Sequence, residues 1–315
     1  MEKRKLGSTG LEIAPLAFGG NVFGWTADEA TSFKLLDAFV DAGFNFIDTA
    51  NTYSSWVAGN VGGESETIIG KWLKQKGNRE KIVIATKVGS EMGGKKGLSK
   101  KYIFEAVEES LDRLQTDYID LYQSHYPDPS TPIAETLEAY AQLIKQGKVR
   151  AIGGSNLTAA QLTEEIEVSK QTGLPGYQTL QPLYNLYDRA VFENELQHIC
   201  LDNNIAVINY YALASGFLTG KYRSESDLSK SARGGGVKKY LNEHGLRILN
   251  ALDKVSQQYN ATPAQVSIAW LLTRPTIAAP IASATNIEQL RDLEKAVSLK
   301  PDNEAILLLN EASAE

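Results

Sequence analysis

Short apolar runs alternate with amphipathic segments along most of the chain. Residues 44–53 show the pattern most clearly, because Phe44, Phe46 and Ile47 are apolar, the sequence turns polar at Asp48, and a tyrosine follows at position 53. A short apolar run of this kind predicts a buried strand with polar side chains at its tip. The same reading predicts a small N-terminal hairpin from residues 3–5 and 11–13, joined by a Gly/Ser/Thr turn.

Eight such runs predict strands, each followed by at least one segment with helical spacing. The strands are at residues 16–18, the start of 44–53, 81–88, 119–124, 149–153, 177–181, 206–210 and 277–281. The helices are at residues 28–42, 64–75, 99–114, 132–147, 158–172, 191–203, 243–259, 263–272, 286–297 and 302–309. Ser99 is a predicted N-cap of the third helix.

This alternation predicts an α/β fold, a (β/α)8 TIM barrel with an N-terminal β-hairpin and extra C-terminal helices, formed by residues 1–315 as a single domain. A doubly wound sheet is the competing fold. It would carry a phosphate-binding glycine motif after its first strand, and neither G-x-G-x-x-G nor G-x-x-x-x-G-K-[ST] occurs. The polar segment 222–239 has the composition of a mobile surface loop and is too short to be a domain.

Composition narrows the class of protein further. Hydrophobic residues make up 43% and charged residues 22%, as in ordinary globular domains. The net charge of −6 comes from 32 basic and 38 acidic residues that are interspersed, which argues against a nucleic-acid partner. One cysteine, no signal peptide and no long apolar run lead us to expect a cytoplasmic protein without a membrane partner. An oligomer is compatible with the sequence.

Polar residues at the ends of neighbouring predicted strands are the candidate chemistry. Asp48 follows the second strand, Lys87 ends the third, and His125 follows the fourth. Active sites of barrels lie at this end of the strands. Each residue has an ordinary alternative: a solvated rim lysine, a packed histidine, or a strand cap with a loop tyrosine.

The combination of these residues predicts acid–base chemistry. An ammonium within the barrel wall at Lys87 needs a carboxylate, which Asp48 can supply. A phenol at Tyr53 beside that ammonium should ionise more easily than free tyrosine, which makes Tyr53 a candidate proton donor. If His125 binds the same oxygen, the site suits reduction of an aldehyde or ketone.

The sequence resembles the aldo-keto reductase family, specifically its longer-chain branch, which also includes potassium-channel β subunits. The family's D-T-A-x-x-Y is Asp48 to Tyr53, its strand-three lysine is Lys87, and its H-x-P-D begins at His125. The resemblance covers nearly the whole chain and implies a catalytic tetrad of Asp48, Tyr53, Lys87 and His125, with Tyr53 as the general acid. It also implies a small-molecule aldehyde or ketone substrate.

The resemblance implies an extended nicotinamide dinucleotide, expected to be NADPH with NADH as the alternative, bound across the barrel mouth. Ser155, Asn156 and Gln181 would hold the carboxamide, and Tyr210 would stack on the nicotinamide. The remaining implied contacts come from the strand-one turn, the pyrophosphate loops and the last strand and helix: Gly20, Asn21, Asp48, Tyr211, Leu213, Ser215, Lys221, Arg233, Ser283, Thr285 and Gln289. Without the resemblance, Ser155, Asn156 and Gln181 would be read as ordinary turn and strand-end residues.

Three departures from the family pattern affect the cofactor site. Tyr211 stands where serine is common, which leaves a backbone contact to phosphate at that point. Thr285 stands where an arginine often meets the 2′-phosphate, and Leu293 stands where asparagine is usual. These changes leave the choice between NADPH and NADH open.

The loop after Tyr53 is longer than the family's usual loop and brings Trp56 to the site. Together with Phe23, Trp25 and Tyr126 it predicts an aromatic-walled pocket for an apolar, aromatic or sugar-ring substrate. The alternative is that these aromatic residues pack on the rim. Segment 222–239 is interpreted either as a lid over the dinucleotide or as a plain linker.

Two further functions remain as alternatives. Lys87 at a strand end could form a Schiff base, as in a lyase. A cofactor-holding regulatory subunit with slow turnover is the second alternative, suggested by the channel β subunits. Metal chemistry is not expected, because His125, His198 and His244 have no ligand spacing.

Overall fold

The computed structural model describes residues 2–231 and 233–314. Its ten strands are β1 Arg4–Lys5, β2 Glu12–Ile13, β3 Ala17–Gly19, β4 Phe46–Asp48, β5 Val83–Val88, β6 Ile119–Ser124, β7 Val149–Ser155, β8 Thr179–Gln181, β9 Ala206–Val207 and β10 Ile281–Ala282. Its ten α-helices are α1 Glu29–Asp41, α2 Glu64–Lys76, α3 Lys100–Leu114, α4 Ile133–Lys145, α5 Ala159–Thr172, α6 Gln197–Asp202, α7 Glu243–Tyr259, α8 Pro263–Leu272, α9 Ile287–Ala296 and α10 Asn303–Ala312.

Eight parallel strands form the central sheet in the order β10-β3-β4-β5-β6-β7-β8-β9. The two ends of this order meet, because Ala278 N donates to Val207 O at 2.9 Å and Ile281 N donates to Asn209 O at 2.9 Å. The sheet is thereby closed into a ring with helices around it. The predicted (β/α)8 barrel is confirmed.

Side-chain caps explain where most of the predicted helices begin. Asp28 accepts a hydrogen bond from Thr31 N at the start of α1, and Ser99 accepts one from Tyr102 N at the start of α3. Thr158 forms a capping box with Gln161 at α5. Each cap satisfies a backbone N–H that the first helical turn leaves free, so the helix start is specified locally.

The antiparallel hairpin β1–β2 closes the N-terminal end of the barrel. Its Leu6 and Ile13 are fully buried in one cluster with barrel-interior residues such as Phe46 and Leu121. The Asn45 side chain fastens the hairpin by accepting from Ala14 N and donating to Glu12 O. Apolar side chains therefore fill the lower barrel, and the polar interior lies at the opposite end.

The structure is less regular than predicted in three places. The predicted strand 206–210 shortens to β9, and the predicted strand 277–281 overlaps β10 only at Ile281. Pro182 directly follows β8 beside β9, and Pro280 lies within the predicted strand 277–281; neither has an N–H to donate to a ladder. The predicted helix 191–203 consists of a π-helical turn, Phe192–Leu196, followed by α6. The predicted mobile loop 222–239 contains two 3-10 turns, Glu225–Lys230 and Gly234–Tyr240.

Candidate active site

Strand register brings the predicted site residues to the C-terminal mouth of the barrel. Asp48 pairs with Ala85 and Lys87 pairs with Gln123 in the parallel ladders. The chain beyond β4 remains attached to β5, since Asn51 N donates to Lys87 O at 3.2 Å. This continued pairing turns the segment back so that Tyr53 reaches the side chain of Lys87.

The Lys87 ammonium uses all three of its donors. Its Nζ donates to Asp48 Oδ2 at 2.7 Å, to Thr49 O at 2.8 Å and to Tyr53 Oη at 3.0 Å. The side chains of Lys87 and Asp48 are 0% and 1% exposed. A buried ion pair is tolerated where its donors and acceptors are satisfied, and this pair meets that condition.

Asp48 is also held through its second oxygen. Gln181 Nε2 donates to Asp48 Oδ1 at 2.9 Å, and Gln123 Nε2 lies 3.5 Å from the same atom. The carboxylate therefore joins side chains from β4, β5, β6 and β8. Its orientation is fixed from both sides, and it in turn fixes the ammonium.

For both Lys87 and Tyr53, burial and nearby charge shift the pKa in opposite directions. Burial lowers the pKa of Lys87, but Asp48 and Tyr53 together raise it by more, so the net pKa is raised and the amine is cationic. For Tyr53, burial raises the pKa more than the Lys87 ammonium lowers it. The expectation that Tyr53 ionises more easily than free tyrosine was wrong, because desolvation of the phenolate outweighs attraction to the ammonium.

His125 lies beside Tyr53 at the same mouth, with 6.0 Å between the ring centroids. Its Nδ1 lies 3.2 Å from Ser90 Oγ, and its carbonyl oxygen accepts from Asn156 Nδ2 at 2.9 Å. Burial, together with the Lys87 charge, lowers the pKa of His125 to about 3. The imidazole is therefore neutral at every ordinary working pH.

A cleft of about 1170 Å³ opens above these side chains. Almost every residue predicted for the site lines it: Asn21, Trp25, Asp48, Tyr53, Trp56, His125, Tyr126, Ser155, Asn156, Gln181, Tyr210, Tyr211, Leu213, Ser215, Lys221, Arg233, Ser283, Thr285 and Gln289. The three exceptions are Lys87, which lies beneath the floor, Gly20, which is buried against Ser65, and Phe23, which lies in the core. The extended cleft has the dimensions of a ligand site.

The residues predicted to hold a carboxamide bind one another in the structure. Tyr210 Oη donates to Asn156 Oδ1 at 2.7 Å, Asn156 Nδ2 donates to Ser155 Oγ at 3.2 Å, and Ser155 Oγ donates to Gln181 O at 2.8 Å. Within the described part of the chain, no hydrogen bond reaches Gln181 Oε1. Gln181 is 2% exposed and lines the cleft, so this amide oxygen is an acceptor that a ligand N–H can satisfy.

The loop after β9 is rich in left-handed residues. Tyr211, Ala214, Ser215 and Gly216 have φ values of 56°, 48°, 57° and 95°. Such residues can turn backbone N–H groups toward an anion, although Ala214 N and Gly216 N already donate within the loop, to Tyr211 O and Leu213 O. Lys221 lines the same part of the cleft, so backbone dipoles and a cation coincide where the sequence predicts a pyrophosphate.

The end of the cleft at α9, lined by Thr285, Gln289 and Asp292, is polar. None of its described lining residues is a cation. Gln289 Oε1 accepts from Thr285 N at 2.9 Å and from Thr285 Oγ1 at 3.1 Å. Asp292 also lines this end and accepts from Thr262 Oγ1 at 2.8 Å. Thr262 and Asp292 were not predicted from the sequence. Asp292 falls three residues after Gln289 on α9, a helical spacing that places both on one face.

Aromatic side chains wall the part of the cleft nearest Tyr53. Trp56 lies 6.0 Å from the Tyr53 ring and 5.8 Å from Trp25, between ring centroids. The Arg233 guanidinium lies 5.3 Å from the Trp25 ring centroid. Phe23 was also predicted in this wall, but it is fully buried and stacks on Phe18 in the core.

In residues 2–231 and 233–314, no group of three His, Cys, Asp or Glu side chains could hold a metal ion. No helix in those ranges is long and apolar enough to cross a membrane.

The chain is a closed barrel with a buried carboxylate–ammonium–phenol group below a polar cleft at its C-terminal mouth, the end at which barrel enzymes carry their active sites. The model of the aldo/keto reductase family matches residues 15–314. The chain belongs to the aldo/keto reductase family.

Three relatives illustrate the range of this family. The uncharacterized oxidoreductase YrpG of Bacillus subtilis (strain 168) is 36% identical over 99% of this chain and 95% of its own length. The aldo-keto reductase YhdN of the same organism is 36% identical over 87% and 82% of the two chains. A probable voltage-gated potassium channel subunit beta of Arabidopsis thaliana is 34% identical over 96% and 92%. The family and these oxidoreductases identify the chain as an oxidoreductase.

Proposed function

We propose that the chain reduces aldehydes and ketones with NADPH, with Tyr53 as the general acid. The observation that carries the proposal is the contact between Lys87 Nζ and Tyr53 Oη at 3.0 Å, at the floor of a cleft of about 1170 Å³. Reduction of a carbonyl group places negative charge on oxygen and needs a proton donor at that point.

The chain's own residues provide that proton. Because burial raises the pKa of Tyr53, the phenol carries its proton at neutral pH and can donate it to an oxygen in the cleft. The phenolate that remains is adjacent to the Lys87 ammonium, which stabilises it. Asp48 holds the ammonium in place and keeps it charged.

His125 supports the same oxygen as a neutral donor. With its pKa at about 3 it brings no charge to the mouth, so it can donate a hydrogen bond without attracting anions nonspecifically. Its ring lies edge-on to Tyr53, which allows both groups to face one bound oxygen. Two donors converging on one oxygen form an oxyanion-stabilising pair.

Members of the aldo/keto reductase family generally use nicotinamide cofactors. When bound, the nicotinamide supplies the hydride. Gln181 with Ser155 and Asn156 would hold its carboxamide, and the backbone after β9 with Lys221 and Arg233 would hold the phosphates. The free Gln181 Oε1 and the left-handed loop residues fit such a group. NADPH is our expectation from the resemblance, and NADH is the alternative.

The geometry argues against a Schiff-base lyase. An amine attacks a carbonyl only as the neutral form with a free lone pair. Lys87 is cationic and donates to three oxygens, one of them the Asp48 carboxylate. A protonated Schiff base keeps only one N–H, so an adduct at Lys87 would lose two of these three hydrogen bonds in a buried site.

A regulatory, cofactor-holding role is the second candidate. It is favoured by the similarity to proteins named potassium channel β subunits, and by the position of segment 222–239, whose Ser231, Arg233 and Gly235 line the cleft. A segment in this position can retard cofactor release. Slow release and a turnover rate limited by it would support this role, whereas release much faster than turnover would remove it.

The experiment has two parts. Fluorescence titration with NADPH and NADH, side by side, tests the cleft as a dinucleotide site. Steady-state oxidation of the tighter-binding cofactor with an activated aromatic aldehyde tests the reaction. Saturable binding with carbonyl-dependent oxidation supports the proposal, and binding of neither cofactor would contradict it.

A further inference from the structure

We propose that Ser90 is a positioning residue that fixes His125 in the tautomer with its proton on Nε2, which makes the imidazole a hydrogen-bond donor at the barrel mouth. The proposal rests on the carbonyl-reductase function and adds to it a residue outside the four-residue site. Ser90 Oγ lies 3.2 Å from His125 Nδ1. Both residues line the cleft.

The pairing of β5 with β6 brings the two side chains together. Val88 pairs with Ser124, and the ladder extends one step further because His125 N donates to Val88 O at 2.8 Å. On its other side, the His125 carbonyl accepts from Asn156. The ring also stacks on Tyr126, with 5.0 Å between centroids and 19° between planes. The backbone and ring plane of His125 are therefore fixed, so only its proton position remains to be set.

A neutral imidazole has one N–H and one acceptor nitrogen, and the partner of one nitrogen decides the state of the other. Ser90 appears in no other hydrogen bond in the described ranges, so Nδ1 is the acceptor available to its hydroxyl proton. A hydroxyl that donates to Nδ1 leaves the ring proton on Nε2. Since the imidazole is neutral, this proton is the only one that His125 can offer to a bound carbonyl oxygen.

The loop that carries Ser90 is itself anchored to the His125 loop. Asp128 Oδ2 accepts from Leu98 N at 2.7 Å, and Gly97 N donates to Gly89 O at 3.0 Å. Hydrogen bonds from Ser130, Thr131 and Leu98 lower the pKa of Asp128 to about 2, so the anchor is charged throughout the neutral range. The segment 89–98 is thereby held in register with His125, which gives the Ser90 contact a rigid base.

The test combines a spectroscopic readout with turnover. Nitrogen chemical shifts of the imidazoles report the tautomer directly, and the chain has only three histidines, so His198→Gln and His244→Gln assign the His125 signal. We compare the full chain with Ser90→Ala and with Ser90→Thr, which keeps the hydroxyl. Circular dichroism verifies that each variant is folded.

We expect the Nε2–H form in the wild-type chain, a mixture of tautomers in Ser90→Ala, and the Nε2–H form again in Ser90→Thr. Loss of one hydrogen bond predicts a kcat lower by about five- to tenfold in Ser90→Ala, with unchanged cofactor affinity. An Nδ1–H signal in the wild type, or an Ala variant with unchanged tautomer and kcat, would overturn the proposal. The tautomer is measured without turnover, so failure of the reductase function would be recognised separately.

Discussion

At the level of single residues, the buried Lys87–Asp48 ion pair should contribute both to the stability of the fold and to the proposed reaction. Replacing Lys87 by Met leaves the Asp48 carboxylate buried without its cation, which should lower the free energy of unfolding by about 3–5 kcal/mol. Lys71→Met is the control, because its pair with Glu29 is 49% exposed on both sides and should change stability by less than about 1 kcal/mol. Urea denaturation measures both variants, and equal effects would contradict the account.

Glu165 provides a prediction about pH. It is buried, Tyr177 N donates to its Oε1, and burial raises its pKa to about 7. An acid whose folded pKa exceeds its unfolded value binds more protons when folded, so its effect on stability is most favourable below about pH 4.5 and is progressively lost up to about pH 7. Glu165→Gln should therefore be more stable than wild type at pH 8, with a smaller difference at pH 5.

Urea midpoints at the two pH values test this prediction, with Glu164→Gln as the exposed control. If the urea midpoints of Glu165→Gln and Glu164→Gln shift equally from wild type at pH 8, Glu165 does not titrate as described.

Much of the residue-level site could be predicted from the sequence, because Asp48, Lys87 and His125 each fall at the end of an apolar run. The direction of the Tyr53 pKa could not, since it depends on how far burial exceeds the attraction of Lys87. Ser90 could not be predicted either. Its contact with His125 depends on the register of two strands and on the path of the loop that follows one of them.

At the level of secondary-structure elements, local sequence signals predicted the positions of the helices more accurately than those of the short strands. Caps at Asp28, Ser99 and Thr158 stand in the sequence where α1, α3 and α5 begin. The ends of β9 and β10 depend on pairing with segments that are distant in the sequence and meet only in the folded barrel, and Pro182 and Pro280 beside these strands have no N–H to extend the ladders. The sequence shows that the loop after Tyr53 is longer than the family's usual loop. We expected it to bring Trp56 to the site, and Trp56 lies beside Tyr53 in the structure.

That loop leads to a prediction about substrate choice. Trp56 is 50% exposed and lies beside Tyr53 and Trp25, so it can stack on a ring-shaped substrate. Trp56→Ala should raise KM for benzaldehyde by about fivefold or more, with little change for a short straight-chain aldehyde. Val61→Ala, at the exposed tip of the same loop, is the control. Equal KM changes for both aldehydes would contradict stacking.

At the scale of the whole molecule, an apolar lower barrel supports a polar mouth. The β1–β2 hairpin contributes to this apolar region, because Leu6 is fully buried among barrel-interior residues. Leu6→Ala should lower the free energy of unfolding by about 2–5 kcal/mol. Leu246→Ala, whose leucine is 38% exposed on α7, should cost much less. Thermal or urea denaturation compares the two, and equal losses would show that the hairpin is peripheral.

The barrel itself was predictable because each strand and its following helix repeat one local pattern. Closure of the ring was not directly readable, since it requires β9 and the segment before β10, distant in the sequence, to bind each other. That residues 1–315 form a single domain remains a prediction.

The most direct test of the central claim compares Tyr53→Phe with Tyr126→Phe. Both remove a phenolic hydroxyl from the cleft, but only Tyr53 contacts the Lys87 ammonium. With cofactor affinity measured for each, we predict that kcat for aldehyde reduction falls by about 10²–10⁴ in Tyr53→Phe and changes little in Tyr126→Phe. A Tyr53→Phe variant that binds cofactor and keeps wild-type kcat would contradict Tyr53 as the proton donor.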